Sequence, residues 1–452
     1  MIKRILLALV LCLILVSGYA QRNKNKDNKN TKDEAKTDWN FGFLPIVTYN
    51  TDLGLQYGAL TNMYHYGDGK IYPGYYHSIY AEVSRYTKGS GIYRVFYDSK
   101  YFIKGIRTTF DIAYLPDLAL DFYGFNGAQA QFNKDWQDDS HDDYKTRMFY
   151  KHERNMFRTK FDFQGKTAIE NVNWAAGLIL NQVQISSVDT AKLNKGKSGG
   201  EKLPPVPTLY DNYIDWGIIN EAEKNGGFLT TLKAGIVYDS RDNEPNPMKG
   251  FWSEIVLAQT LNVDYNFLKL AITHRQYFTL IEKNLSFAYR VGYQSIIAGK
   301  APFYALPTMV YSYLPSSNSD GLGGSKTIRG VVRNRVVGEG SVFGNLELRW
   351  KFTHFRMFNQ NIYLALCPFT DFGQVIHAKK IDKNLIPNDP NQSDFVDQSE
   401  YFNEGKDKIH ITYGCGFHLA MNQNFIISAD YGMPMNEQDG NGSIYIGMNF
   451  LF

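Results

Sequence analysis

Cysteine is scarce in this chain: 452 residues hold three, Cys12, Cys367 and Cys415. Cys12 lies inside the apolar run near the start, so two remain for the folded part, too few for a disulfide scaffold. Beyond residue 20 no stretch approaches the ~20 apolar residues of a membrane-crossing helix. The net charge is only +3. Lys and Arg are dispersed rather than gathered into a patch, which argues against a nucleic-acid partner. Nine histidines, among them His65, His77, His152, His274, His354 and His418, fall into no Ser-His-Asp, zinc or phosphate-loop spacing. The chain therefore reads as no enzyme, with no cofactor and no metal site. Asp135, Asp138, Asp139, Asp142 and Asp143 lack the spacing of a calcium loop and read as a solvated charged loop.

What is present starts with an address. Met1-Ile2-Lys3-Arg4 is basic, Ile5 to Val16 is apolar, and Gly18 and Ala20 are small residues ahead of Gln21. This is the pattern of a signal peptide over 1–20. Residues 21–40 are polar, charged and without period, and read as a flexible periplasmic tail. From Phe41 to Phe452 the chain alternates between apolar and polar residues, and the full sequence is rich in Tyr (32) and Phe (30).

In 341–352 the even positions Val342, Leu346, Leu348, Trp350 and Phe352 are apolar, while Asn345, Glu347, Arg349 and Lys351 lie between them. Successive strand side chains take opposite faces, so such a segment has one wet and one apolar face. Strands are expected at 53–65, 75–87, 91–102, 105–115, 145–153, 156–167, 172–187, 228–240, 250–262, 265–280, 284–298, 341–353, 361–373, 408–420, 423–433 and 443–452. An even count fits a closed transmembrane antiparallel β-barrel of about 16 strands. With both termini in the periplasm, loops 188–227, 299–340 and 374–407 fall outside and are long. Turns 281–283, 354–360 and 421–422 fall inside and are short, as in outer-membrane barrels. The same parity puts the long span 116–144 inside, which fits badly. A soluble β-sandwich would also alternate, but it leaves the loop asymmetry and the final Phe452 unexplained. Cys367 shares parity with Asp371, and Cys415 lies on the opposite face, so the two are not expected to pair.

Three motifs are more specific. Residues 235–250 contain Tyr-Asp-Ser-Arg-Asp-Asn-Glu-Pro-Asn-Pro-Met-Lys-Gly, residues 323–331 read Gly-Gly-Ser-Lys-Thr-Ile-Arg-Gly-Val, and residues 369–373 read Phe-Thr-Asp-Phe-Gly. In the first, Asp239, Arg241 and Asp242 can satisfy the open backbone of a turn shaped by Pro245, Pro247 and Gly250. In order and spacing the set resembles the BamA/TamA/FhaC superfamily of outer-membrane insertases and translocators, in its bacterial surface antigen barrel domain (41–452). Ile328 stands where that family carries Val or Leu, and Val331 where it carries an aromatic residue.

The resemblance implies a long outer loop folded into the lumen, with Arg329 and Gly330 meeting Glu347, Asp371 and Gly373 on the wall. Arg329 would form a bidentate guanidinium–carboxylate contact. It also implies a weak seam between the first and last strands, here 53–65 and 443–452, which opens to lipid. Phe450 and Phe452 resemble the C-terminal signal read by the assembly machinery, which makes the chain a client of that machinery. The tail is too short to fold a periplasmic POTRA module, so a POTRA-less member working with a periplasmic partner protein and outer-membrane lipid is expected. The implied role is protein insertion, membrane assembly or translocation through the seam, from an integral position in the cell outer membrane. The alternative is a passive pore or structural surface barrel that kept the fold.

Overall fold

Alternation over nearly the whole chain calls for a wall with one polar and one apolar side, and the computed structural model bends that wall into a ring. It describes residues 36–452 except 52, 73, 245, 313–320, 358–359, 392, 394, 422–424 and 449. The strands are β1 (Trp39–Asn50), β2 (Gly54–His65), β3 (His77–Tyr86), β4 (Gly91–Ile103), β5 (Ile106–Asp121), β6 (Lys151–Lys166), β7 (Val172–Ser186) and β8 (Gly226–Asp239). They continue as β9 (Gly250–Leu261), β10 (Phe267–Ile281), β11 (Leu285–Gly299), β12 (Gly340–Met357), β13 (Gln360–His377), β14 (His410–Met421), β15 (Phe425–Pro434) and β16 (Ser443–Met448). All pairings are antiparallel between neighbours in sequence, and β1 meets β16 to close a sixteen-strand barrel.

The two faces follow the alternation. On β12, Leu346, Leu348, Trp350 and Phe352 are exposed, while Phe343, Asn345, Glu347, Arg349 and Lys351 are buried in the lumen. An apolar outer face with a polar interior is the arrangement a barrel needs to stand in lipid. Cys367 is buried and Cys415 exposed, and both are free thiols. Cys415 is paired in register with Pro368, next to Cys367, so opposite faces keep the sulfurs apart.

Two strand expectations are corrected, and the errors cancel in the count. The first strand is Trp39–Asn50, which begins inside the stretch read as tail. Segments 145–153 and 156–167 merge into the single strand β6, and residues 145–150 belong to the loop before it. The shift in parity moves the span after β5 to the end of the barrel that carries the other long loops. There Asn126 donates to the Lys379 carbonyl (2.8 Å), Gln131 N–H donates to the Tyr401 carbonyl (2.9 Å), and Ala130 bridges Phe402. The poor fit of 116–144 came from the missing first strand. The expected signal peptide and most of the expected tail lie outside the described residues, as does Pro245.

The long loops close this end. Phe122, Phe125, Phe149, Tyr213, Phe303 and Phe402 form part of one buried cluster drawn from four loops. Aromatic edges meet faces there, as between Phe122 and Tyr213 with centroids 5.3 Å apart. A short helix, Leu209–Asp215, is stopped at its start by Thr208 in a capping box with Asp211 and buries Leu209, Tyr210 and Tyr213 in the same cluster.

Candidate functional site

In the loop between β11 and β12, residues 321–337 pack into the lumen, and the residues that hold them are spaced along this second half. Thr327 Oγ1 accepts from Gly323 N–H (2.9 Å), which tightens the glycine turn. Asn345 on β12 donates to the Thr327 carbonyl (2.7 Å) and accepts from Arg290 (2.8 Å), and Arg290 also donates to the Lys326 carbonyl (3.0 Å). Beyond the tip, Arg333 pairs with Asp117 (2.8 Å) and Asp121 (3.2 Å) of β5. Arg335 donates to three loop carbonyls, of Gln438, Gly127 and Ala130, each at 2.8 Å.

Arg329 is the centre. Its Nε and Nη2 donate to the two oxygens of Asp371 at 2.8 and 2.9 Å, and its own N–H donates to Asp371 Oδ2 at 3.0 Å. Nη1 lies 2.8 Å from Glu347 and 3.6 Å from Asp430. The guanidinium plane sits 3.5 Å over the Phe369 ring. A flat, delocalised cation can make the bidentate pair and the ring contact together; an ammonium cannot. Burial by itself would lower the pKa of Arg329. The Asp371 and Glu347 carboxylates outweigh it and raise the value, so the guanidinium stays charged. Glu347 is shared with Arg349 at 2.8 Å, and Asp430 with His418 at 2.9 Å. The network thus spans β12, β13, β14 and β15.

Two close approaches let the loop in. At Gly373 an added Cβ would stand 2.6 Å from Ile328 Cδ1. At Gly330, where φ is +101°, it would stand 2.7 Å from the carbonyl carbon of Gly432. Val331, in place of an aromatic residue, is fully buried with Ile328, Leu322 and Phe343, so the smaller side chain still packs. Asp430, Gly432 and Tyr445, whose hydroxyl accepts from Gly330 N–H at 3.3 Å, belong to the same constellation and were not picked out from the sequence. They are remote along the chain, and only the register of β13 to β16 brings them in.

The turn residues assemble separately, at the short-turn end. Arg241 makes a bidentate pair with Asp239 (2.9 and 2.6 Å) and lies 4.3 Å over the Trp252 ring. Asp242 accepts from Met248 and Lys249 N–H at 3.0 and 3.2 Å. Pro247 is buried. Gly250 has φ +92°, and a Cβ there would meet the Ser240 carbonyl oxygen at 2.2 Å. Arg107 joins the turn to β5 and β4 through Glu244 (3.0 Å) and Asp98 (2.8 Å).

At the seam, β1 and β16 share one register pair among the described residues, Asn50 with Tyr445. Beside it Thr51 N–H donates to the Ile444 carbonyl (3.1 Å), and Thr51 Oγ1 accepts from Ile444 N–H (2.8 Å). The edge expected at 53–65 is in fact β1, because 54–65 is the second strand and is paired on both sides. Gly58 therefore lies off the seam, between β1 and β3. The end of the chain also departs from the expected strand over 443–452. β16 stops at Met448, and Phe450 packs inward against Tyr363, Cys367 and Ile426. Arg349 lies 4.2 Å over the Phe450 ring and 5.0 Å from the Phe452 ring centre, and donates to the Phe452 carbonyl at 2.7 Å.

A closed sixteen-strand antiparallel barrel, with a long loop clamped against its inner wall by an arginine–carboxylate network, is the class of fold that the described residues define. Residues 74–452 match the Omp85 superfamily domain, and the chain belongs to that superfamily. Among solved structures it is similar to BamA from Haemophilus ducreyi lacking POTRA domains 1–3, with 16% identity over 97% of this chain and 78% of that one, at a TM-score of 0.52. It is also similar to CdiB from Escherichia coli, with 8% identity over 92% of this chain and 63% of that one, at a TM-score of 0.49. At these identities the likeness is one of fold. No curated protein matches the chain in sequence.

Proposed function

We propose that the chain is an integral outer-membrane barrel that aids protein insertion or export by opening sideways between β1 and β16, against membrane lipid and with a periplasmic partner protein. The observation that carries this is the single register pair of the seam, set against six or more at every other junction among the described residues. Pro45 lies within β1. Proline lacks the N–H that a strand paired on both sides needs, and it is confined to edges and bulges. The work is strand exchange and local thinning of the bilayer and needs no covalent chemistry.

In this reading the Arg329 network keeps loop 300–339 fixed to the wall beside the moving edge, and the Asp239–Gly250 turn braces the opposite rim. Phe450 and Phe452 serve as the assembly signal while the chain is itself a client, before they turn inward. A passive pore or structural surface barrel is the second reading; it draws on the filled lumen and the aromatic cap, with the loop acting as a plug. Reconstitution in liposomes separates the two. The insertase reading expects faster membrane insertion of an unfolded client barrel than protein-free liposomes give, and an unchanged rate leaves the passive barrel.

A further inference from the structure

The first half of the same loop meets a different part of the wall, away from Arg329. Val310, Tyr311 and Ser312 are buried there. Wall side chains reach its main chain one after another. Lys269 donates to the Thr308 carbonyl (2.5 Å), and Lys233 donates to the Tyr311 carbonyl (2.9 Å). Gln294 accepts from Val310 N–H (2.8 Å) and donates to the Val310 carbonyl (2.9 Å). Glu254 of β9 takes the last described position: its Oε2 accepts from Ser312 N–H (2.9 Å) and from the Ser312 hydroxyl (2.5 Å). A carboxylate that accepts two such bonds is a stronger hold than a neutral acceptor.

Glu254 is itself held in place. Its other oxygen, Oε1, accepts from Arg275 at 3.0 Å, and both residues are buried. Arg275 fixes the carboxylate by one oxygen and so aims the other at Ser312. The Arg275 guanidinium lies 3.9 Å over the Trp252 ring, and the guanidinium of Arg241 lies 4.3 Å over the same ring. Arg241 belongs to the Asp239–Gly250 turn, where Asp239 binds it by both oxygens. The strand registers bring these groups to one level, since Trp252 stands opposite Asp239 on β8 and opposite Arg275 on β10. Glu254, two residues on, shares the face of Trp252. One unbroken line of contacts therefore runs from Asp239 through Arg241, Trp252, Arg275 and Glu254 to Ser312. It begins on a rim where Asp242, Glu244 and Lys249 are exposed, and it ends on the in-folded loop.

We propose that Glu254 is a positioning residue for the first half of the loop, and that its aim is set from the short-turn end through Trp252. A shift of Arg241 moves the ring beneath it, the ring moves Arg275, and Arg275 turns the carboxylate away from Ser312. The turn is then a control point for the loop as well as a brace. The coupling belongs to this chain alone and holds whether or not the seam opens.

The test is hydrogen–deuterium exchange of the purified full-length barrel in detergent, read on peptides covering 303–312 and 239–250. Arg241→Ala cuts the line at the turn and should speed exchange at Val310 and Ser312 about two- to thirtyfold, the range that one cation–π contact is worth. Arg241→Lys keeps a cation over the ring and should restore most of the protection. Glu254→Gln cuts the line at the loop and should speed exchange at 310–312 while leaving the turn as it was. Asp242→Ala loosens the same turn without touching Trp252, so it should speed exchange in 239–250 alone. Trp252→Leu replaces Arg241→Ala if that variant does not fold, with the same expectation at 310–312. Faster exchange confined to the turn in Arg241→Ala overturns the proposal, and so does an equal rise at 310–312 in Asp242→Ala, which would mark general loosening.

Discussion

Gly330 and Gly432 meet main chain to main chain, so that a Cβ on Gly432 would stand 2.6 Å from the carbonyl oxygen of Arg329. β15 therefore admits the loop tip only where it has no side chain. Gly432→Ala should lift the tip and expose loop 321–335 to trypsin, which cuts after Lys326, Arg329, Arg333 and Arg335. Gly447→Ala, with nothing within 4 Å of its added Cβ, is the control and should leave the digestion pattern unchanged. Equal resistance in both variants would show that the docking does not depend on this contact.

Arg329→Ala leaves Asp371, Glu347 and Asp430 facing one another in a buried site. Removing one partner of a buried ion pair costs about 3–5 kcal/mol, and solvation of the lumen draws the value toward the lower end. The barrel should unfold at lower temperature on heat-modifiability gels and change its conductance. Arg329→Lys should recover only part of the loss, because an ammonium keeps the charge without the fork or the Phe369 contact. If Arg329→Ala matches the parent in both assays, the network does not hold the loop.

The seam can be locked. Residues directly opposite in antiparallel strands have Cα atoms about 4.5–5.5 Å apart, within the reach of a disulfide. With Cys367 and Cys415 replaced by Ser, Asn50→Cys with Tyr445→Cys should cross-link on oxidation. The oxidised barrel should lose its acceleration of client insertion, and reduction should restore it. Full acceleration in the locked form rules out lateral opening at this junction.

The turn behaves as a structural brace. Asp242→Ala strands two main-chain N–H groups and should lower stability in urea by about 1–3 kcal/mol. Gly250→Ala should cost more, since it combines a positive φ with a collision at the Ser240 carbonyl. A smaller loss for Gly250→Ala than for Asp242→Ala would contradict the geometry.

Where one face of a strand is wet and the other apolar, the sequence was easy to read, as at 341–352. β1 escaped because Phe41 and Phe43 are followed by Leu44, Pro45, Ile46 and Val47, which blurs the alternation, and because Pro45 weakens any strand reading. β6 was cut in two at Arg154 and Asn155, although Arg154 pairs with Asp117 and Asn155 with Pro116 across an unbroken junction with β5. Arg329, Glu347 and Asp371 could be named together because a motif resemblance and strand parity both pointed at them. Gly432 and Asp430 could not, since contact across the lumen follows from barrel registers that no local spacing encodes. The inward turn of Phe450 was hidden for the opposite reason: 444–452 alternates so regularly that nothing marks where β16 ends.

The seam also dictates an order of events in time. Every other junction joins neighbours along the chain, whereas Thr51 and Ile444 are 393 residues apart. Loop-closure entropy grows by about 0.6 kcal/mol with each doubling of the span, and contacts between distant residues form slowly. The hairpins can therefore zip one after another into a curled ribbon whose two edges wait for each other. Closure is then the slowest step of folding, and at that step the bare edge of β1 is most open to pairing with a foreign strand.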